Sequence, residues 1–250
     1  MLVIVSLAFF LVLPFFDLWL FRRHLIAQKQ RNHRSVYYGQ LLSELWIPTI
    51  VVLVWAGANS VPLADIGLGW PEVATEILPA GVSIGITVLA VLFIAYSLVD
   101  LARLKYDARY QAAVKSKIQS VKMPEYMGLL MPSSGRERAL YGLVAISAGI
   151  TEEILYRGFL TYVLLISFPA LGVWLSILVS AFLFGLGHLY QGVSGVLRTF
   201  ILGFILSVIY LATGTLLLCI AIHMLIDLAG TLLETSDGTE PHLIEVSTPN

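Results

Sequence analysis

Charge is scarce in this sequence. Of 250 residues, 12% are charged and 58% are hydrophobic, and the mean hydropathy is +0.87. Soluble domains carry about 25% charge, so these residues cannot clothe an ordinary soluble surface. Cysteine occurs once, at Cys219, which excludes an intramolecular disulfide; inside an apolar run it reads as a small buried side chain. The net charge of −1 leaves no basic surplus for nucleic acid and no acidic surplus for cationic substrates. Internal repeats and low-complexity tracts are lacking as well.

Long apolar runs take their place. They predict an all-α fold, a polytopic integral membrane bundle of about seven transmembrane helices in a cell membrane. The expected spans are Met1 to Leu20, Leu42 to Ala58, Thr75 to Val99, Arg138 to Ile166, Ala170 to Tyr190, Leu197 to Ala212 and Thr215 to Leu233. The first is too long and too aromatic for the core of a signal peptide and is read as a helix of the mature protein.

Arg22, Arg23, Lys29, Arg31 and Arg34 fill the first connection, and Arg103, Lys105, Arg109, Lys115, Lys117, Lys122, Arg136 and Arg138 fill the third. Between them, Asn59 to Glu72 holds Asp65 and Glu72 and no Lys or Arg. The positive-inside rule therefore predicts an N-terminus outside and a C-terminus in the cytoplasm. Tyr110, Val114, Ile118 and Val121 recur at helical spacing among lysines, the pattern of a basic amphipathic helix on the inner leaflet or of a solvated linker helix. After Leu233 the chain turns polar, and 235–250 is read as a mobile tail.

An ionisable side chain at the centre of a membrane helix costs about 2.5–3.5 kcal/mol on insertion scales, so it persists with a partner or a function. Glu152, Glu153 and Arg157 in the fourth span, His188 at the end of the fifth, and His223 and Asp227 in the seventh are such residues. Glu153 and Arg157 stand four apart, where carboxylate and guanidinium can neutralise each other. Glu152 lies about 100° around the helix and is expected to face another wall, as the carboxylate left over. His223 and Asp227 share a face, and His188 closes the stretch Phe184-Gly185-Leu186-Gly187-His188. Asp17 in the first span reads as interfacial or as helix packing. A carboxylate and a histidine can deprotonate water while other donors hold a developing oxyanion, so the set suits hydrolysis.

The stretch Ala148 to Leu160, with Glu152-Glu153-x-x-x-Arg157, resembles the first motif of the CAAX-processing endopeptidase and bacteriocin-processing family of glutamate-type intramembrane proteases. Phe184-x-x-x-His188 is similar to its second motif and His223-x-x-x-Asp227 to its third, in the same order, over roughly Pro132 to Leu233. The resemblance implies a metal-free and cofactor-free endopeptidase acting on membrane-associated substrates, either prenylated C-terminal peptides or small peptides. It implies that Glu152 and His188 activate water, that His223 and Asp227 form the oxyanion site, and that Glu153, Arg157 and Phe184 support them. An ionised Asp227 would repel an oxyanion, so the residue either acts as the neutral acid or orients His223. On this reading 1–130 holds N-terminal transmembrane helices with the cytoplasmic amphipathic segment, 131–234 the catalytic membrane core and 235–250 the tail. The lipid bilayer and a peptide or protein substrate are the expected partners, with no nucleic acid.

Other readings remain at this stage. Two carboxylates and two histidines could bind zinc in a membrane metalloprotease, although no His-Glu-x-x-His occurs. Gly192-Val193-Ser194-Gly195, an ordinary turn between spans, could instead offer a serine nucleophile to His223. The polar cluster could serve a non-catalytic scaffold or bacteriocin immunity factor, or a proton relay in a transporter.

Overall fold

The computed structural model describes residues 2–28, 34–71, 77–119, 132 and 134–233. The tail 235–250, together with Val121 and Lys122 of the third connection, lies outside the described residues. Every regular element described is helical: α1 (Leu2–Gln28), α2 (Arg34–Ala58), α3 (Ala80–Tyr106), α4 (Ala108–Gln119), α5 (Gly135–Glu152), α6 (Thr161–Ser167), α7 (Gly172–Gly187), α8 (Gly192–Thr213) and α9 (Leu217–Leu233). A π-helical segment, Glu153–Leu160, joins α5 to α6 without a break.

Six segments are long and apolar enough to cross a membrane: Leu2–His24, Arg34–Ala58, Ala80–Tyr106, Gly135–Ser167, Pro169–Gly187 and Leu189–Thr213. The expected seventh, α9, is apolar but has 17 residues. At 1.5 Å per residue it reaches about 26 Å, just short of a bilayer core of about 30 Å. The second span begins two turns before the expected Leu42, because Tyr37 and Tyr38 are buried and Arg34 pairs with Glu137 of α5 at 3.8 Å. Ser194 and Gly195 belong to the first turn of α8 rather than to a turn between spans, since Gly192, at φ +76°, has already redirected the chain.

The helix ends sort into two groups. At one end Arg34 meets Glu137, Tyr38 meets Tyr141 with ring centroids 5.5 Å apart, and Phe21 meets Tyr190 at 5.3 Å. The ends flanking the first, third and fifth connections are thus together. At the other end the Leu216 amide donates to the Gly67 carbonyl at 2.8 Å, and the Thr215 hydroxyl donates to the Gly69 carbonyl at 2.8 Å. A Cβ on Gly67 would stand 2.7 Å from Leu216 Cγ, so this contact needs glycine twice over, for space and for its φ of +79°. Odd connections at one end and even ones at the other are what six successive crossings require.

The amphipathic helix is present as α4. Its first turn is fixed by Asp107, whose carboxylate accepts from the Arg109 and Tyr110 amides at 3.0 Å each. Apolar side chains such as Val54 and Leu89 remain exposed on the bundle's outside, the arrangement a lipid-facing surface has. The interior is organised around the π segment, all eight residues of which are buried. Leu155, Tyr156, Phe159 and Leu160 pack with Phe10 of α1, Val52 of α2 and Leu183 and Phe184 of α7. A second cluster joins Ala90, Leu206, Ile209, Cys219 and Ile222 of α3, α8 and α9. Cys219 is buried there as expected, its thiol donating to the Leu206 carbonyl at 3.2 Å.

Candidate active site

The π segment begins at the two glutamates. A π-helix closes i→i+5 hydrogen bonds and leaves carbonyls looking for other donors. The Tyr156 carbonyl takes them from the Thr161 hydroxyl at 3.1 Å and from Ser180 of α7 at 2.6 Å. Gly158 lets the Ile66 carbonyl lie against the helix, where a Cβ would be 2.5 Å from that oxygen. Wide helical turns held from outside thus set the height of Glu153 and Arg157 in the bundle.

Across from them, α9 approaches α5 at a backbone contact. A Cβ on Gly149 would meet Met224 Cγ at 2.5 Å and the Met224 amide nitrogen at 2.9 Å. One turn beyond Gly149, this closeness brings His223 onto the glutamates. Its Nδ1 donates to Glu153 Oε1 at 2.8 Å. Its Nε2 faces Glu152 Oε2 and Asp227 Oδ2, each at 3.6 Å. Glu152 is therefore not a left-over carboxylate facing another wall: the imidazole occupies the angle between the two side chains and presents one nitrogen to each.

Arg157 Nη1 lies 3.0 Å from Glu153 Oε1, both side chains being 0% exposed. The contact is an ion pair without hydrogen-bond angles: none of the three guanidinium nitrogens has a hydrogen-bond partner among the described residues. The guanidinium instead lies over the Phe184 ring, 4.0 Å from its centroid. The same ring meets His188 at 4.9 Å and His223 at 5.9 Å, so Phe184 holds both imidazoles and the arginine. Gly203 of α8 makes room, since a Cβ there would stand 2.9 Å from Arg157 Nη2 and from Phe184 Cδ1. His188 caps α7 and its Nδ1–H donates to the Phe184 carbonyl at 3.0 Å, which leaves Nε2 as the acceptor.

Exposure separates the residues further. Glu153 and Arg157 are sealed and His223 is 4% exposed, whereas Glu152 is 19% and Asp227 34% exposed. Glu152 and Asp227 form the accessible wall, with half-buried His188 beside them at the bundle end.

Residues 136–229 match the family model of the Rce1-like type II CAAX prenyl endopeptidases. The matched segment, under half of the chain, is similar to that family. No match to a curated protein or to a solved structure was found. The matched segment runs from the start of α5 into α9 and contains Glu152, Glu153, Arg157, Phe184, His188, His223 and Asp227.

Sequence reasoning did not find three features of this Rce1-like segment. Gly149 and Gly203 look like ordinary helix residues, and only the helix against each reveals what a Cβ would strike. Tyr190, two residues beyond His188, stacks on that imidazole with centroids 6.0 Å apart and planes at 29°; an aromatic so close to a motif histidine was the available signal. Asp17, read as interfacial or as helix packing, is half-buried and interacts electrostatically with Glu44 and Glu152. Among the described residues no group of three or more His, Cys, Asp or Glu side chains is arranged to hold a metal ion.

Proposed function

We propose that the protein is a glutamate-type intramembrane endopeptidase that hydrolyses peptide bonds of membrane-associated substrates, with the C-terminal peptides of prenylated proteins as the substrate class suggested by the Rce1-like match. The observation that carries the mechanism is the division between two adjacent glutamates. Glu153 is sealed between Arg157 and His223 Nδ1, while Glu152, on the other side of the same imidazole, is partly exposed.

Water held between Glu152 and His188 Nε2 gives a proton to this pair as its oxygen attacks the scissile carbonyl carbon. The carbonyl π electrons move onto oxygen, and the resulting oxyanion faces His223 and Asp227, the latter donating as the acid. Collapse of the intermediate restores the carbonyl and breaks the C–N bond. The proton taken from water passes to the leaving amine. Glu153, Arg157 and Phe184 hold the helix and the imidazoles in place. The bundle end bearing Arg34, His188 and α4 faces the cytoplasm, with the N-terminus outside and the C-terminus inside, and α4 rests on anionic lipid.

The test uses purified protein in nanodiscs and a farnesylated peptide ending in cysteine and three further residues. Wild type should release the C-terminal tripeptide, seen by mass spectrometry, and Glu152→Gln should release none while remaining folded. A wild-type protein that leaves both this peptide and the membrane peptides of its host cell uncut contradicts the reading.

A further inference from the structure

An oxyanion needs donors that do not themselves carry negative charge, and the residues around His223 supply few. Its Nδ1 is committed to Glu153 at 2.8 Å, and its Nε2 faces two carboxyl groups at 3.6 Å. Asp227 is one of those two. The catalytic reading therefore leaves room for a neutral donor on the His188 side.

Tyr190 stands there. It lies in the 3₁₀ turn Leu189–Gln191 that follows His188, half-buried, with its ring stacked on the imidazole and in tilted contact with Phe21 of α1, centroids 5.3 Å apart. Its phenolic oxygen accepts a hydrogen bond from Gln191 Nε2 at 3.0 Å. Among the described residues no acceptor takes its proton, and the hydroxyl interacts electrostatically with Glu152, Asp227 and Asp17. A phenol has one O–H to give, and a donor on its oxygen polarises that O–H further. Gly195 makes the Gln191 contact sterically available, because a Cβ there would lie 2.3 Å from Gln191 Cβ. Ring and phenolic oxygen are thus held in place beside His188, and the O–H is left free to donate to a group that enters there.

Resting on the endopeptidase reading, we propose that Tyr190 is a further catalytic residue, whose hydroxyl donates a hydrogen bond to the scissile carbonyl oxygen as water adds to the carbon. The proton stays on tyrosine throughout. The electron pair that moves onto oxygen during addition returns when the C–N bond breaks, so the step needs no other reactant. Gln191 is a positioning residue that acts through Tyr190.

The experiment measures hydrolysis of the farnesylated peptide by wild type, Tyr190→Phe and Gln191→Met in nanodiscs, with thermal unfolding of each. Phenylalanine keeps the ring against His188 and Phe21 and removes the hydroxyl, both its O–H donor and the acceptor used by Gln191. Removing one oxyanion donor typically lowers kcat by about 10²–10³-fold, so Tyr190→Phe should fall in that range with KM within about threefold of wild type. Gln191→Met should lower kcat by roughly three- to tenfold at unchanged KM, since it weakens an O–H donor without removing it. A folded Tyr190→Phe protein with kcat within about twofold of wild type overturns the proposal. So does a loss expressed wholly in KM or in melting temperature. If Tyr190→Phe does not fold, the Gln191→Met result decides, and unchanged kcat there overturns the proposal as well. Absence of wild-type hydrolysis overturns the endopeptidase reading and this proposal together, whereas an active wild type with an equally active Tyr190→Phe overturns this proposal alone.

Discussion

His223 Nδ1 donates to Glu153 Oε1 across 2.8 Å, joining α9 to the start of the π segment, and the Arg157 guanidinium lies 3.0 Å from the same oxygen. The oxygen thus serves a cation on its own helix and an imidazole on the neighbouring one, with no water-facing edge. Breaking a buried ion pair from one side leaves a charge without compensation, at a cost of about 3–5 kcal/mol. Arg157→Ala should therefore lower the melting temperature strongly and abolish activity. Removing the carboxylate too, in Glu153→Gln/Arg157→Met, should recover part of the melting temperature. Thermal unfolding in detergent checks both, and equal melting temperatures for the single and double variants would count against a charge-driven loss.

The closeness of α5 and α9 rests on Gly149. Its Cβ would meet Met224 backbone, which cannot swing aside as a side-chain end can. Gly149→Ala should cost about 1–3 kcal/mol by overpacking and reduce activity, because separating the helices lengthens the His223–Glu153 contact. Gly142 on the same helix has nothing within 4 Å of its Cβ position and is the control. Gly142→Ala should be neutral or stabilising by up to about 1 kcal/mol, as helix propensity alone dictates. Melting temperatures and turnover for the pair give the comparison.

Asp227 faces His223 Nε2 at 3.6 Å and is 34% exposed. If it donates to the oxyanion as the acid, Asp227→Asn keeps a donor of the same size, and activity should persist within about tenfold. If it acts as an ionised orienter of the imidazole, turnover should fall by orders of magnitude with KM little changed. The first outcome is expected, because the Nδ1 hydrogen bond to Glu153 already orients His223. A folded Asp227→Asn protein at least about 100-fold slower would favour the second, a loss of roughly 2.7 kcal/mol of transition-state stabilisation.

Much of this was legible in the sequence for physical reasons. A chain with so little charge must bury its helices in lipid, and lysine and arginine marked the ends that Arg34, Glu137 and Tyr190 now group together. Glu152, Glu153, Arg157, Phe184, His188, His223 and Asp227 were found as polar or motif residues in apolar helices, and the bundle brings them together. What the sequence could not give was the partner of each carboxylate. A wheel of 100° per residue separates Glu152 from Glu153, yet it says nothing of a ring that sits in the angle between them. Nor does periodicity reveal a π segment whose freed carbonyl is taken up by Ser180 on another helix.

A metal-dependent mechanism makes a different prediction from the one favoured here. The Arg157 guanidinium, 3.0 Å from Glu153, places a cation where a second one would be repelled, and His223 Nδ1 is already given to the same oxygen. Hydrolysis should therefore survive phenanthroline, with no gain on adding zinc. Loss with the chelator and recovery with zinc would establish the metal reading.

The central claim is that neighbouring glutamates do different work: Glu152 chemistry and Glu153 architecture. Turnover and melting temperature of Glu152→Gln and Glu153→Gln, measured side by side in nanodiscs, test it most directly. Glu152→Gln should melt within a few degrees of wild type, as a change of about 0.5 kcal/mol at a partly exposed site allows, and should show no turnover. Glu153→Gln should melt far lower, since it strands the Arg157 charge, and whatever fraction stays folded should retain measurable turnover. A fully active Glu152→Gln protein, or two variants with the same loss of both stability and turnover, would contradict the division.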